Sequence, residues 1–385
     1  MRSTFLLIFF IITTVSSMSA WADLGIASFD ARMEQELGKR PDFTDKEILV
    51  RKISDKIRTL LETGDSHPVV ELIREDLKTI QQTFSLSKVG NIDQLNQDIR
   101  NGKLTLQARA HGPTPLFYTG GLYNIFGGES GTGLLLDEYN QIDPLETIVL
   151  SGATFQIIGV SLDYGNIIYQ VATPDYPYPT ETGYFIDARF VDTFWMPLGV
   201  LTSEIKHMPS QEVILTNLRN SLGLPYIWGG DIPTGVPKLL EYYAPRGLVD
   251  ENLRAKWTLR GVDCSGLLYN AANGLTPRNT FALVTYGTGL NIAWKTPSEI
   301  ISILKPLDII AWKGHTMIVL NESEVIQSRA DYGTGTLGFE DGVKIRPLGE
   351  VLDELLSSRI AVNNIDDIVP EGKKKFVIRR WYESL

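Results

Sequence analysis

The sequence has almost no cysteine and little histidine. Cys264 is the only cysteine among 385 residues, so no disulfide can form within the chain. The four histidines are far apart in sequence, and one cysteine does not complete a cluster with metal-ligand spacing. We therefore expect no metal site. The histidines are His67, His111, His207 and His315.

The chain also lacks an excess of positive charge. Its formal net charge is -10 at pH 7, and its pI is about 5.1. Because binding to a nucleic-acid backbone needs clustered positive charge, nucleic acid is not an expected partner. The sequence has no glycine-rich nucleotide-binding loop either, and it implies no cofactor.

Long hydrophobic runs are missing too. The apolar run at residues 5–12 is too short for a comfortable transmembrane helix. It follows Arg2 and precedes a small-x-small triplet at 20–22, the pattern of a secretory signal peptide over residues 1–22. We expect an exported protein, in the periplasm or outside the cell at the wall, without stable membrane insertion. A retained N-terminal anchor is the alternative.

Residues 23–102 are rich in charge and in helix-forming residues. The segments 46–62 and 69–85 place Ile, Leu and Val three or four residues apart, which predicts amphipathic helices. No catalytic grouping is visible there. We expect a helical accessory region.

Residues 103–200 change to short β-prone runs separated by glycine and proline, which predicts a small barrel or sandwich. Residues 150–160 resemble the central strands of a bacterial SH3-like barrel, and residues 184–188 resemble its closing strand. Residues 112–133 are either a second, degenerate copy or a long loop. Strands are expected at 104–108, 147–150, 153–162, 166–172 and 183–190.

Residues 201–385 read as helices followed by strands, which predicts an α+β domain. The expected order is a helix at 213–222, a second helix starting at Cys264, then several strands with a hairpin turn at 321–323. The helix of Cys264 is expected to pack on an antiparallel sheet. The strands are expected at 309–312, 315–320, 325–328, 343–347 and 376–381, with a helix at 348–357.

Cys264 is the candidate nucleophile. Its neighbours Asp263, Ser265 and Gly266 are small and polar, which argues against a packing role. In the first turn of a helix, unpaired backbone N–H groups and the positive dipole end favour the thiolate. The same N–H groups are candidate donors to an oxyanion. His315, at the start of a strand, is the candidate base.

Gln327 is the candidate that orients His315. If the hairpin pairs symmetrically about Asn321, Gln327 lies opposite His315 on the same face of the sheet. Its amide oxygen would accept a hydrogen bond from Nδ1 and leave Nε2 for the thiol. A register shift of one residue would offer Ser328 instead, and a bridging water is a further alternative.

Several motifs in the same order resemble the NlpC-type family of bacterial cell-wall cysteine endopeptidases. They are GLPYIWGG at 223–230, VDCSG at 262–266, Leu307-Asp308, His315 and VIQS at 325–328. The resemblance covers about 180 residues to the C-terminal strand. It implies a papain-like fold, and an upstream SH3-like module and a signal peptide commonly accompany this family.

The resemblance also implies roles for residues and a substrate. Cys264 would be the nucleophile, His315 the base and Gln327 the orienting residue. Tyr226 would lie beside the thiol, and Asp263 and Ser265 would contact substrate. Family members cleave peptidoglycan stem peptides, typically between γ-D-glutamate and a diamino acid. Asp263 also fits a helix N-cap, and Trp228 is expected in the core.

Two departures from the family pattern keep other functions open. Gln327 stands where histidine is common, and the spacer at 231–262 is a substantial insertion that could line or cover the cleft. One alternative is a catalytically silent peptidoglycan-binding protein. Another is a Cys-His amidase or acyltransferase acting on a different amide or ester.

Overall fold

The structure is a computed structural model, and it does not describe the N-terminal quarter of the chain. The predicted signal peptide at 1–22 and the predicted helices at 46–62 and 69–85 lie outside the described residues. Within the described ranges, no helix is long and apolar enough to cross a membrane. Those ranges are 92–178, 180–181, 183–195, 206–247, 249–330 and 342–382.

Short helices and strands alternate along the described chain. The helices are α1 (Ile92–Arg100), α2 (Leu122–Ile125), α3 (Gln211–Asn220), α4 (Lys238–Tyr242), α5 (Glu251–Trp257), α6 (Cys264–Ala271), α7 (Thr280–Leu283), α8 (Pro297–Ile301) and α9 (Leu348–Ser358). A 3-10 turn covers Ala188–Phe190. The first strands are β1 (Leu106–Ala110), β2 (Thr114–Phe117), β3 (Leu145–Val149), β4 (Thr154–Asp163), β5 (Asn166–Ala172), β6 (Tyr184–Asp187) and β7 (Val191–Trp195). The later strands are β8 (Asp231–Ile232), β9 (Gly261–Val262), β10 (Thr288–Gly289), β11 (Ile309–Trp312), β12 (His315–Val319), β13 (Glu324–Arg329), β14 (Gly342–Pro347), β15 (Ile360–Ala361) and β16 (Lys375–Arg380).

The described residues form two units, one of 92–103 with 160–168 and the other of 104–159 with 169–382. In the first unit, the amide of Asn96 on α1 forms two hydrogen bonds with the backbone of Val160, at 2.8 and 2.7 Å. They hold the helix on the strand, and Leu95 beside them is fully buried. The described end of the predicted helical region is thus helical.

The first sheet contains seven strands in the order β3-β2-β6-β5-β4-β1-β7. Its β4–β5 turn places Tyr164 and Gly165 at φ 48° and 82°, the left-handed pair of a type I′ hairpin. All five predicted strands are present. Strands β2 and β7 are additional, and β2 contains Pro115, a residue that argues against a strand when only the sequence is read. The segment 112–133 therefore contributes a strand and a short helix to this region.

The second sheet confirms the predicted α+β class with an antiparallel sheet. Its strands run in the order β10-β16-β11-β12-β13-β14, and β15 pairs parallel to β16. Successive residues point to opposite faces, so each strand contributes to two apolar cores. Ile309 and Ile318 pack with α3 and α6, whereas Ile310 and Met317 pack with α8 and α9.

The insertion at 231–262 packs on the upstream β region through its aromatic side chains. Its two ends pair as β8 and β9. Trp257 is fully buried, donates from Nε1 to the Tyr243 carbonyl at 2.8 Å, and lies 6.2 Å from the Phe126 ring. The Tyr243 hydroxyl donates to Asp187 at 2.6 Å. The large aromatic side chains of the insertion are therefore anchors to the first sheet.

We expect Trp257→Ala to lower the free energy of unfolding by about 3–5 kcal/mol, because it leaves a large cavity and an unpaired Tyr243 carbonyl. The matched control is Trp294→Ala, since Trp294 is 96% exposed. Chemical denaturation followed by circular dichroism measures both midpoints. Equal midpoints for Trp257→Ala and wild type would contradict the anchoring role.

Candidate active site

Cys264 lies at the N-terminus of α6, as predicted. The helix begins there because Asp263 caps it, with Oδ1 accepting from the N–H groups of Ser265 at 2.9 Å and Gly266 at 2.7 Å. Gly266 lets the helix pack closely, since a Cβ at this position would collide with the Gly230 carbonyl oxygen. The first turn of α6 is thus fixed by its Asp263 cap and by close packing on the glycine turn, which is formed by Gly229 and Gly230.

The thiol of Cys264 is neutral in the free protein. Burial raises its pKa to about 12, and the negative charge of Asp263 acts in the same direction. Arg278 and the backbone amides of Thr316 and Ser265 favour the thiolate, but they do not offset burial. The resting thiolate expected from the sequence is therefore not favoured here, because desolvation outweighs the field at the helix start.

His315 and Gln327 are hydrogen-bonded, as predicted, through Nε2 and Oε1 at 2.8 Å. The strand register differs from the prediction: Ile318 pairs with Ile326 and Val319 with Val325, which places Met317 opposite Gln327. A shift of two residues keeps Gln327 on the face of His315. Gln327 meets Nε2, whereas Nδ1 was the expected partner.

The imidazole of His315 is also neutral at physiological pH. Burial lowers its pKa to about 4, and the positive charges of Arg329 and Arg359 lower it further. The Gln327 oxygen, which accepts a hydrogen bond from the ring, acts in the opposite direction but is the smaller effect. A neutral imidazole is the form that accepts a proton, so His315 is available as a general base throughout the neutral range.

No hydrogen bond joins the thiol to the imidazole within the described part of the chain, and the link between them runs through strand β12. The sulfur accepts from the backbone of Thr316, which directly follows His315. Ser328, the alternative orienting residue, lies on the opposite face of β13 from Gln327 and donates to the Val262 carbonyl at 2.6 Å. Strands β12 and β13 therefore support both the base and the segment that carries the thiol.

Arg278 is a central residue that the sequence reasoning missed. Its Nη2 and Nη1 atoms donate to the two carboxylate oxygens of Asp263 at 2.7 and 3.0 Å, and its Nε donates to Asp231 at 3.0 Å. Its side chain is 4% exposed and that of Asp231 is 0% exposed. The sequence signal that could have identified Arg278 is its charge, because it is the only charged residue between Asp263 and Lys295.

Asp231 extends this network into the first sheet. The same oxygen that accepts from Arg278 accepts from the hydroxyl of Thr147 at 2.8 Å and from the N–H of Ile148 at 3.3 Å. Burial raises the pKa of Asp231 to about 6, against the attraction of Arg278. Burial also disfavours the charged form of Arg278, but Asp263 and Asp231 outweigh it and raise the pKa of Arg278. A buried cation thus links β3, β8 and α6.

Two of the residues expected to contact substrate, Asp263 and Ser265, are engaged in hydrogen bonds within the protein. Asp263 caps α6 and binds Arg278, and the hydroxyl of Ser265 donates to the Arg278 carbonyl at 2.7 Å. Ser265 is 4% exposed and Tyr226 is 5% exposed. Trp228, which we expected in the core, is 45% exposed, and its backbone N–H donates to Gln141 on the loop before β3.

No family model matches the chain, and no curated protein matches it. Among solved structures, an NlpC/P60 family protein from Bacillus cereus is 17% identical over 74% of this chain and 66% of its own, with a TM-score of 0.27. The peptidoglycan hydrolase RipB from Mycobacterium tuberculosis is 20% identical over 45% of this chain and 65% of its own, with a TM-score of 0.26.

RipD from Mycobacterium tuberculosis is a further similar structure, described as a non-catalytic NlpC/p60 domain protein adapted to peptidoglycan binding. It is 14% identical over 45% of this chain and 98% of its own, with a TM-score of 0.25. The chain spans about two thirds of the Bacillus protein and of RipB. The Bacillus protein and RipD carry the name of the family that the sequence motifs resemble.

We expect alkylation of Cys264 by iodoacetamide to be slow at pH 7 and to rise about tenfold per pH unit without a plateau below about pH 11. The reason is that burial raises the pKa of the Cys264 thiol from its ordinary value to about 12. Mass spectrometry gives the rate, and the protein unfolded in urea is the control. A plateau at or below pH 8 would show a resting thiolate instead.

We expect Arg278→Met to lower the free energy of unfolding by about 3–5 kcal/mol, since it leaves two buried carboxylates uncompensated. Adding Asp231→Leu to this variant should recover part of the loss. The control is Arg219→Met, because Arg219 pairs with Glu324 at the surface, where the side chains are 43% and 36% exposed. Denaturation midpoints at pH 7 compare all three, and a similar cost for Arg278→Met and Arg219→Met would argue against the network.

Proposed function

We propose that the chain is an exported cysteine endopeptidase that hydrolyses peptidoglycan stem peptides at the bond between γ-D-glutamate and a diamino acid. The observation that carries the proposal is a neutral imidazole bound by Gln327. The next residue along the strand, Thr316, donates from its backbone to the thiol of Cys264, which lies in the first turn of a buried helix. The ordered motifs of the sequence supply the substrate class. No cofactor is part of the proposal.

The proposed domain layout follows the sequence. A signal peptide at 1–22 directs export to the periplasm or the cell wall, and a helical region covers 23–102. An SH3-like barrel covers 103–200, and the papain-like peptidase domain covers 201–385. The seven-stranded sheet is consistent with such a barrel, and the second antiparallel sheet behind α6 is consistent with the peptidase fold.

The proposed reaction begins from two neutral groups. As the sulfur of Cys264 attacks the carbonyl carbon, its proton passes to Nδ1 of His315, and the Gln327 oxygen accepts from the Nε2–H of the imidazolium. The backbone amides of Ser265 and Gly266 already bind Asp263. The N–H of Cys264 is therefore the first-turn donor left for the oxyanion.

Collapse of the tetrahedral intermediate breaks the C–N bond. The imidazolium returns its proton to the leaving amine, and a thioester remains on Cys264. Water then attacks the thioester while His315 accepts its proton, and the acid product leaves as the thiol is restored. Tyr226, Asp263 and Ser265 are proposed to border the substrate, with Asp263 placed by Arg278.

A catalytically silent peptidoglycan-binding protein is the second candidate. It is favoured by the buried, neutral thiol and by the lack of a hydrogen bond between Cys264 and His315 in the described chain. A Cys-His amidase or acyltransferase acting on another amide or ester would keep the chemistry and change the substrate. The three are separated by the products that the protein forms.

The test uses the full chain without its signal peptide, a defined stem peptide with a γ-D-glutamyl-diamino acid bond, and mass spectrometry of the products. We expect cleavage at that bond, loss of cleavage in Cys264→Ala and His315→Ala, and a kcat at least about tenfold lower in Gln327→Ala. Gln94→Ala, at an exposed position, is the control. Cleavage by Cys264→Ala at the wild-type rate would rule out the mechanism, and binding to sacculi without any product would favour the silent protein.

A further inference from the structure

A short segment at 278–280 connects the helix of the proposed nucleophile to the strand of the proposed base. It ends at the first residue of α7, and Asn279 caps that helix by accepting from the N–H of Phe281 at 2.9 Å. Helix α7 is anchored in the apolar core that α6 shares with β11, since Leu283, Leu267 and Ile309 all belong to it. The segment is therefore fixed in place independently of the residues that it binds.

The first residue of the segment binds both neighbours of Cys264. The guanidinium of Arg278 donates to the carboxylate of Asp263 at 2.7 and 3.0 Å. The backbone carbonyl of Arg278 accepts from the hydroxyl of Ser265 at 2.7 Å. Hydrogen bonds between charged groups are among the strongest in proteins. The residues before and after the cysteine are thus held on one side chain and its own carbonyl.

The last residue of the segment binds the turn that precedes His315. The N–H of Gly314 donates to the hydroxyl oxygen of Thr280 at 3.0 Å, and Thr280 is buried, with 8% of its surface exposed. Lys313 and Gly314 form the turn between β11 and β12, in which Trp312 pairs with His315. The hydrogen bond from Gly314 therefore restrains the backbone one residue before the imidazole.

The turn at 313–314 is not of the type that two-residue hairpins favour. The favoured types, I′ and II′, need a positive φ at the first of the two turn residues. Here the second residue, Gly314, is the one with a positive φ, of 106°. Because a turn with that pattern tends to splay its strands, the contact with Thr280 restrains the start of β12 where the turn alone does so poorly.

We propose that Thr280 is a positioning residue that sets the place of His315 relative to Cys264. It holds the turn before the imidazole on the segment that binds both neighbours of the cysteine. On the other side of His315, the backbone of Thr316 donates to the thiol itself. The strand of the base is thus joined to the cysteine helix both before and after the imidazole, before it through Thr280 and after it directly.

The proposal rests on the proposed peptidase function and adds a residue to its machinery. Transfer of the proton from sulfur to ring needs the two groups within hydrogen-bond reach during attack. A small displacement of a catalytic group lowers the rate far more than it lowers substrate binding. Loss of the Thr280 hydroxyl should therefore lower kcat and leave KM nearly unchanged.

The kinetic test compares Thr280→Val, which replaces the hydroxyl by a methyl group, with Thr280→Ser, which keeps the oxygen. On the defined stem peptide, we expect Thr280→Val to lower kcat at least about tenfold and to change KM less than about twofold. Thr280→Ser should keep at least about a third of the wild-type kcat. Thr258→Val is the matched control and should keep the wild-type kcat. The Thr258 hydroxyl is also buried, and it donates to the Arg254 carbonyl at 2.9 Å in the insertion.

A second measurement does not depend on cleavage. Burial lowers the pKa of His315 to about 4, and the charged groups that act on the ring, Arg329, Arg359 and Asp263, are unchanged by Thr280→Val. A released turn admits water to the ring, so we expect this variant to raise the pKa of His315 to about 5 or higher. Nuclear magnetic resonance of labelled histidine measures the titration. Hydrogen exchange followed by mass spectrometry should show faster exchange at Gly314, by about threefold or more. Thr258→Val should alter neither.

Three results would overturn the positioning role. They are a wild-type kcat in Thr280→Val, a loss of kcat that Thr280→Ser does not recover, and a pKa of His315 that stays at about 4 in Thr280→Val. If Thr280→Val does not fold, as judged by its melting curve, Thr280→Ala replaces it, because it removes the same oxygen. Absence of cleavage by the wild type, with the changes at Gly314 and His315 present in the variant, would refute only the peptidase function.

Discussion

The buried ion pairs of Arg278 are the interaction on which the rest of the site depends. One guanidinium binds the carboxylate that caps the cysteine helix and the carboxylate that joins the glycine turn to strand β3. Charges taken out of water must be paired closely, so these groups tolerate little displacement. The position of Cys264 is therefore set by charges on three separate segments, in addition to the apolar packing of α6.

The burial that fixes the geometry of the site also determines the protonation state of Cys264 and His315. Burial holds the thiol and the imidazole neutral, although each lies near groups that favour its charged form. In the proposed reaction, charge appears only during attack, when a proton moves from sulfur to ring. At that moment Gln327 and the backbone amides act on a charged pair in a low-dielectric site, where their hydrogen bonds are stronger than in water.

Local signals in the sequence predicted most of the framework, and long-range contacts account for what they missed. The alternation of the strands, the cap at Asp263 and the twelve-residue spacing from His315 to Gln327 follow from backbone geometry and could be predicted. The register of the hairpin could not, because a two-residue shift leaves every side chain on its face. Arg278 and Asp231 lie forty-seven residues apart, and no periodic pattern in the sequence predicts such a pairing. The raised pKa of the Cys264 thiol could not be predicted, because burial depends on the whole fold.

The insertion at 231–262 connects the region before residue 200 to the region after it, so the two are not independent modules. It begins at β8 and ends at β9, directly before the cysteine helix, and the rings of Tyr243 and Trp257 pack on Phe126 of the upstream region. Residues on both sides of the proposed boundary at 200 thus share one core. A recombination that exchanged the upstream β region for an unrelated module would remove the upstream partners of Trp257, Tyr243 and Asp231, which are Phe126, Asp187 and Thr147. Exchange of either region alone is accordingly expected to destabilise the other.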